Sequence, residues 1–217
     1  MQIITIDGPA SSGKGTVAKL IAKKLGFHYL ESGAMYRVVA LITIKEAIDS
    51  SDIDSILTLI DNMELRFIDG SVLVDNLDVT DGLRAEAVGM MASTVAKNDV
   101  IRKRLLDFQR EFATEPGLVT DGRDMGSVVF PNAHLKIFLT ASPTVRAKRR
   151  YEQLKHNINV SLDNILADII ARDKQDTERA NAPLKYDSSF ILIDNDNMTI
   201  DETVQCIISL LNSKHNI

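Results

Sequence analysis

The sequence predicts an α/β fold: a five-stranded parallel sheet flanked by helices on both faces. Three observations predict it. Five short, mostly apolar runs, at residues 3–6, 27–30, 118–120, 135–139 and 190–193, read as strands buried on both sides. Stretches with apolar residues at helical spacing separate them, as crossover connections between parallel strands require. A glycine-bounded loop, Gly8-Pro9-Ala10-Ser11-Ser12-Gly13-Lys14-Gly15-Thr16, joins the first strand to the first helix.

Taken in order, Ile3-Ile4-Thr5-Ile6 is the first strand, and residues 17–25 form the first helix, which Gly26 stops. After the second strand, Glu31-Ser32-Gly33 turns into a helix over about 34–47, and Ser51 or Asp52 caps another over 53–60. The texture changes at Met63: Leu65, Phe67, Val72, Val74, Leu77 and Val79 alternate with polar residues, and Asp69-Gly70 is a hairpin turn signal. Residues 63–80 therefore read as a small antiparallel meander inserted into the strand–helix alternation. Helical patterns resume over about 84–97 and 99–113, and Pro116-Gly117 breaks the chain. The third core strand ends at Asp121-Gly122-Arg123-Asp124. Past the fourth strand, Ser142 caps a helix with Pro143 at its first position. The segment 156–160 interrupts the pattern, Ser161 begins a helix that ends near Thr177, and Thr199 with Glu202 forms a capping box for the last helix.

The 217 residues suffice for one α/β core with inserted lobes. At 45% hydrophobic and 25% charged, the composition is that of a soluble globular protein. A net charge of −5 argues against a dedicated nucleic-acid binder, which is normally basic. No apolar run approaches the roughly 18 residues of a membrane span. Because the chain starts directly on a core strand, no signal peptide is expected, and a cytoplasmic location follows. Cys206 is the single cysteine, so no internal disulfide forms, and its apolar helical setting suits packing. The four histidines, His28, His134, His156 and His215, lack metal-ligand spacing.

The glycine-bounded loop matches G-x-x-x-x-G-K, the phosphate-cradling P-loop. Glycines let successive N–H groups turn inward onto phosphate oxygens, the helix N-terminus adds partial positive charge, and Lys14 reaches the outer phosphates of a nucleoside triphosphate. The usual hydroxyl after the lysine is replaced by Gly15, with Thr16 one residue later. Ligands in such folds bind beyond the C-terminal strand ends, here at Asp7, Glu31, 121–124, Thr140 and Asp194. Phosphoryl transfer needs two anionic substrates held in line with their charge neutralised. Ser32, Arg37, Arg102, Arg123, Asp124, Arg172 and Arg179 are candidates for the second substrate, arginine being suited to phosphate by its planar fork. Asp121 ends an apolar strand, where it holds Mg²⁺ through water or, alternatively, caps a helix or bonds the phosphate loop. Arg146, Arg149 and Arg150 lie on one helix at i, i+3, i+4 spacing and read either as part of a mobile lid or as an exposed basic face. A GTPase-like switch would carry a guanine-reading N-K-x-D element, which the chain lacks.

These pieces resemble the bacterial type of cytidylate kinase, within the nucleoside monophosphate kinases. The resemblance rests on 8–16, on Glu31-Ser32-Gly33-Ala34-Met35-Tyr36-Arg37, on Ala92-Ser93 with Arg102, and on Asp121-Gly122-Arg123-Asp124-Met125-Gly126-Ser127-Val128-Val129-Phe130-Pro131. It extends through the 146–150 arginines, Ala171-Arg172-Asp173 and Arg179 to Ala182-Pro183-Leu184. Glu31 stands where the family usually has Asp, and Gly15 where many members have Ser. The resemblance implies one P-loop NTPase domain over 1–217, with an acceptor-nucleotide lobe at 32–113 that includes the 63–80 meander, and a helical lid at 146–180. It implies transfer of the γ-phosphoryl group of ATP to CMP or dCMP with Mg²⁺, by a monomer; a kinase for another small acceptor such as UMP is the alternative. It assigns the cytosine to Ser32, Arg102 and Asp124, the sugar to Ser93, Arg172 and Asp176, and the acceptor phosphate to Arg37, Arg123 and Arg179. Residues 8–16 and Arg146 bind ATP, with Arg146 stacking on adenine, and Lys14, Arg123, Arg150 and Arg179 stabilise the transferring group. Thr16 and Asp121 reach the metal through water.

Overall fold

A computed structural model describes residues 1–68, 71–155, 161–179 and 181–215. The turn read at Asp69-Gly70, the interruption at 156–160 with His156, and Ala180 at the end of the expected lid lie outside the described residues. The chain divides into two compact units: Met1–His28 with Glu115–Ile217, and Tyr29–Thr114.

The first unit is built on strands β1 (Gln2–Asp7), β6 (Gly117–Gly122), β7 (Leu135–Thr140) and β8 (Ile191–Asp194). Strand β2 (His28–Glu31), within which the division falls, completes a five-stranded parallel sheet of order β2-β6-β1-β7-β8. Its central strand β1 pairs in parallel with β6 from Gln2↔Gly117 to Asp7↔Gly122, and with β7 from Ile4↔Leu135 to Asp7↔Phe138. Ile4, Ile6, Leu118, Val119, Leu135 and Ile137 are fully buried. This is why these strands read as apolar runs without alternation; each such side chain contributes about 1.5–3 kcal/mol.

Helices α1 (Lys14–Leu25) and α8 (Ile200–His215) pack together through faces that include Val17, Ile21, Val204 and Ile207. Gly26 ends α1 in the left-handed region, as expected. The capping box forms: Thr199 N donates to Glu202 Oε2 at 2.8 Å, and Glu202 N donates to Thr199 Oγ1 at 3.2 Å. Helix α6 (Pro143–Leu154) starts at the predicted proline, and Ser142 Oγ accepts from Val145 N at 3.3 Å. It packs on α7 (Leu162–Glu178) through Ala147, Ile165 and Ile169.

In the second unit, α2 (Ser32–Lys45), α3 (Ile53–Asn62), α4 (Glu86–Val95) and α5 (Asp99–Glu111) surround Met35, Val38, Ile56, Ile60, Ile101 and Leu105, all nearly or fully buried. Of the two caps considered for α3, Asp52 is the one used: it accepts from Ser55 N at 3.1 Å. Strands β3 (Leu65–Ile68), β4 (Ser71–Val74) and β5 (Leu77–Asp78) form a separate antiparallel sheet, as the alternation predicts. Phe67 packs edge-on against Tyr29 and Phe112.

One local reading changes, and one element has no counterpart in the sequence reading. The helix expected from Arg84 begins at Glu86, because Gly82–Arg84 forms a 3₁₀ turn. Beyond β6, Met125–Val129 winds into a π-helical turn. A single five-residue turn is too short to show a hydrophobic period.

Candidate active site

The phosphate loop follows β1 without a break. Gly8 passes so close to β7 that a Cβ there would stand 2.0 Å from Leu139 O, so no larger residue fits. At the start of α1, Lys14 is only 8% exposed, and its Nζ donates to Pro9 O at 3.0 Å. Burial, reinforced by the positive charges of Arg123 and Arg172, lowers the Lys14 ammonium to about 7; Asp121 and Asp176 oppose the shift. The predicted candidates Lys14, Asp121, Arg123, Arg172 and Asp176 thus share one electrostatic environment in the first unit. Asp121 is buried at the end of β6, whereas Thr16, in the first turn of α1, is exposed.

The acidic and basic candidates of this unit are interlocked. Arg123 Nε donates to Asp176 Oδ2 at 2.6 Å, with both side chains largely buried. Arg179 Nε donates to Ala182 O at 2.6 Å, and its Nη2 stands 3.9 Å from Asp124 Oδ1. Arg172 and Arg150 are exposed, and Arg150 donates to Gln153 Oε1 at 3.3 Å. The other two arginines of α6 turn inward. Arg146, 3% exposed, donates to Ala141 O and Ala10 O and forms a two-pronged pair with Asp173, at 3.0 and 2.5 Å. Arg149 donates to Ser12 O, Asn195 Oδ1 and Asn195 O. An exposed basic face therefore describes only Arg150; Arg146 and Arg149 grip main-chain carbonyls of the phosphate loop.

Three residues of this network were given no role from the sequence, although Asp7 was named there as a strand end and Asp173 as part of a matching motif. Asp173 completes the Arg146 fork. Asn195, just past β8, donates to Ser12 O at 3.0 Å. Asp7, fully buried at the end of β1, accepts from Met125 N at 2.8 Å and Gly126 N at 2.7 Å. Burial pushes its carboxyl up to about 7 with some help from Asp124, while the two N–H donors and Lys14 pull the other way. A charged residue closing an otherwise apolar strand was the one visible signal for Asp7.

The second unit brings its own candidates to neighbouring helices. Ser32 is buried in the first turn of α2. Arg37 Nη1 donates to Leu83 O at 2.8 Å, and its guanidinium packs beside Gly89 of α4. Ser93, one turn on, is exposed and donates to Gly89 O at 3.1 Å. Arg102 of α5 donates to Ala96 O at 3.3 Å and lies over the Tyr36 ring, 5.8 Å from its centroid. Among the described residues, no group of three or more His, Cys, Asp or Glu side chains is placed to hold a metal ion, and no helix is long and apolar enough to cross a membrane.

A parallel sheet whose central strand runs into a glycine-bounded loop with a buried lysine defines a P-loop phosphotransferase fold. A gluconokinase from Sinorhizobium meliloti 1021 shares that fold with a TM-score of 0.52 at 15% identity, the match covering 99% of this chain and 94% of that one. Within the class, the cytidylate kinase family model matches residues 4–213. Curated cytidylate kinases are similar along nearly their whole length. That of Burkholderia vietnamiensis is 47% identical over 95% of this chain and 91% of its own, and that of Nitrosomonas europaea 46% identical over 96% and 94%. The chain belongs to the cytidylate kinase family.

Proposed function

We propose that the chain transfers the γ-phosphoryl group of ATP to CMP or dCMP, giving ADP and CDP or dCDP. A phosphate oxygen of the acceptor bonds to the γ-phosphorus as the bond to the β,γ-bridging oxygen breaks, and ADP carries away that electron pair. The observation that carries this reading is the buried Lys14 at the start of α1: burial lowers its ammonium, the positive charges of Arg123 and Arg172 add to the shift, and a bound polyanion would favour the charged form again.

The roles follow the chemistry of the groups. Cytosine donates from N4 and accepts at N3 and O2, which suits the Asp124 carboxylate with Arg102 and Ser32. Arg37, Arg123 and Arg179 would hold the acceptor phosphate, and Ser93, Arg172 and Asp176 the sugar. The Arg123–Asp176 pair opens or re-forms around the substrate in this account, the phosphate replacing the carboxylate on the guanidinium. The loop 8–16 wraps the phosphates of ATP, with Arg146 beside the adenine. Lys14, Arg123, Arg150 and Arg179 stabilise the charge that develops on the transferring group. Residues 32–113 act as the acceptor lobe and 146–180 as the lid.

The hydroxyl of Thr16 and the buried carboxylate of Asp121 are hard oxygen donors, too few to cage an ion alone, which fits Mg²⁺ held through its own waters and the nucleotide phosphates. Bound there, Mg²⁺ supplies charge neutralisation at the phosphate oxygens. We take the protein to work in the cytoplasm as a monomer; light scattering on the purified protein checks the latter.

The test is a coupled ADP-release assay with Mg-ATP and each nucleoside monophosphate. Fast turnover confined to CMP and dCMP supports the reading, whereas equal turnover of UMP favours the alternative acceptor. Asp124→Asn should weaken CMP selectively, because an amide replaces the acceptor of the N4 protons; an unchanged CMP-to-UMP ratio would refute the base-reading role.

A further inference from the structure

The ladder between β1 and β6 ends at Asp7↔Gly122. The next two residues, Arg123 and Asp124, carry candidate site side chains, and no further β1–β6 pairing fixes the chain there. Asp124 occupies the N-terminal cap position of the Met125–Val129 turn, where an aspartate ordinarily bonds its own turn. It makes no such bond. The two leading N–H groups of the turn, those of Met125 and Gly126, go instead to the two carboxylate oxygens of Asp7, which comes from a strand 118 residues earlier. The rest of the turn is closed by Val128 N and Val129 N on Asp124 O and by Phe130 N on Met125 O. Gly126 sets its backbone directly on β1: a Cβ there would stand 2.6 Å from Thr5 Oγ1 and 2.8 Å from the Phe190 ring. The turn has one seat, and the Asp7 carboxylate is its polar anchor.

We propose that Asp7 is a positioning residue that caps the turn in place of Asp124, so that the Asp124 carboxylate is directed to the acceptor base and not to its own main chain. The inference rests on the base-reading role of Asp124 given above. It also links the two ends of the chemistry, because Asp7 immediately precedes the phosphate loop.

Asp7→Asn tests it. The isosteric amide keeps one acceptor and turns an NH₂ onto the second N–H, so the turn loses half its anchor and Asp124 can fall back to capping it. The expected result is a KM for CMP about tenfold higher and a CMP-over-UMP preference lowered about fivefold or more, with KM for ATP within about twofold of wild type. Asp7→Ser, which retains a single acceptor, should give the same split. Equal losses toward CMP and ATP, or a lowered melting temperature with the preference intact, would overturn the positioning role; so would failure of both variants to fold. Asp124→Asn is assayed alongside. If it leaves the CMP-to-UMP ratio unchanged, the base-reading role fails and this inference with it. If it lowers the ratio while Asp7→Asn does not, only the inference fails.

Discussion

The two units hold their site cations by different means. In the first, arginines are answered by carboxylates: Arg146 by Asp173, Arg123 by Asp176, and Arg179 by Asp124 at longer range. Lys14 and Asp7 there are buried, and both titrate near neutrality. In the second, Arg37 and Arg102 are half-buried and donate to the main-chain carbonyls of Leu83 and Ala96. Carboxylate partners in partly dry surroundings make a region whose energy depends on which charges are present, so a bound anion or a proton changes it strongly. The Leu83 carbonyl carries no net charge, so losing Arg37 should cost the second unit little stability. The Arg146 and Arg123 pairs should therefore be costlier to break than the Arg37 contact.

Four experiments can break or sharpen that contrast. The largest effect is expected from Lys14→Ala, with kcat reduced about 10²–10³-fold or more and folding intact by circular dichroism; substantial retained kcat would remove Lys14 from the chemistry. Arg146→Ala should come next, because it strands the Asp173 carboxylate and frees two loop carbonyls. A loss of about 3 kcal/mol in urea unfolding is expected, against about 0.5 kcal/mol or less for exposed Arg150→Ala. Equal losses would show that the inward network contributes no special stability. For the second unit, Arg37→Ala should raise KM for CMP about tenfold while costing about 1 kcal/mol of stability or less; a large loss of stability would erase the contrast between the units.

The smallest signal concerns protons. Lys14, lowered to about 7, is largely neutral in the nucleotide-free protein above that pH. Its contribution to stability is therefore present above its ordinary 10.5 and lost as the pH falls to about 7. For Asp7, raised to about 7, the order reverses: its contribution is present below the usual carboxylate range and lost as the pH rises to about 7. ATP should recharge Lys14, so binding at pH 8 is expected to take up as much as one proton. Calorimetry in two buffers of different ionisation enthalpy measures this uptake, which Lys14→Met should abolish.

What could be read from the sequence, and what could not, divides by range. The strands were legible because burial on both faces leaves an apolar run, and caps such as Thr199 with Glu202 because both partners lie within one turn. The phosphate loop was legible because strand, glycines and lysine are contiguous. The π-helical turn was not, since five residues show no period. Nor were the partners of the site arginines: Arg146 meets Asp173 27 residues away, and Arg149 meets Asn195 46 residues away. Arginines at helical spacing say that they share a face, but not whether that face looks toward solvent or toward the loop beneath it.

The contact between Gly8 and Leu139 sets a limit on how this chain can vary. Adding one methyl group at position 8 would push a carbonyl of β7, and Leu139 is in register with Ile193 of β8. The displacement would pass to the outer strand of the sheet, beside which Asn195 and Arg149 hold the loop from the other side. In a library randomised at position 8, selection for activity should return glycine alone, while neighbouring Ser11, which already adopts a left-handed backbone with a side chain in place, should accept several residues.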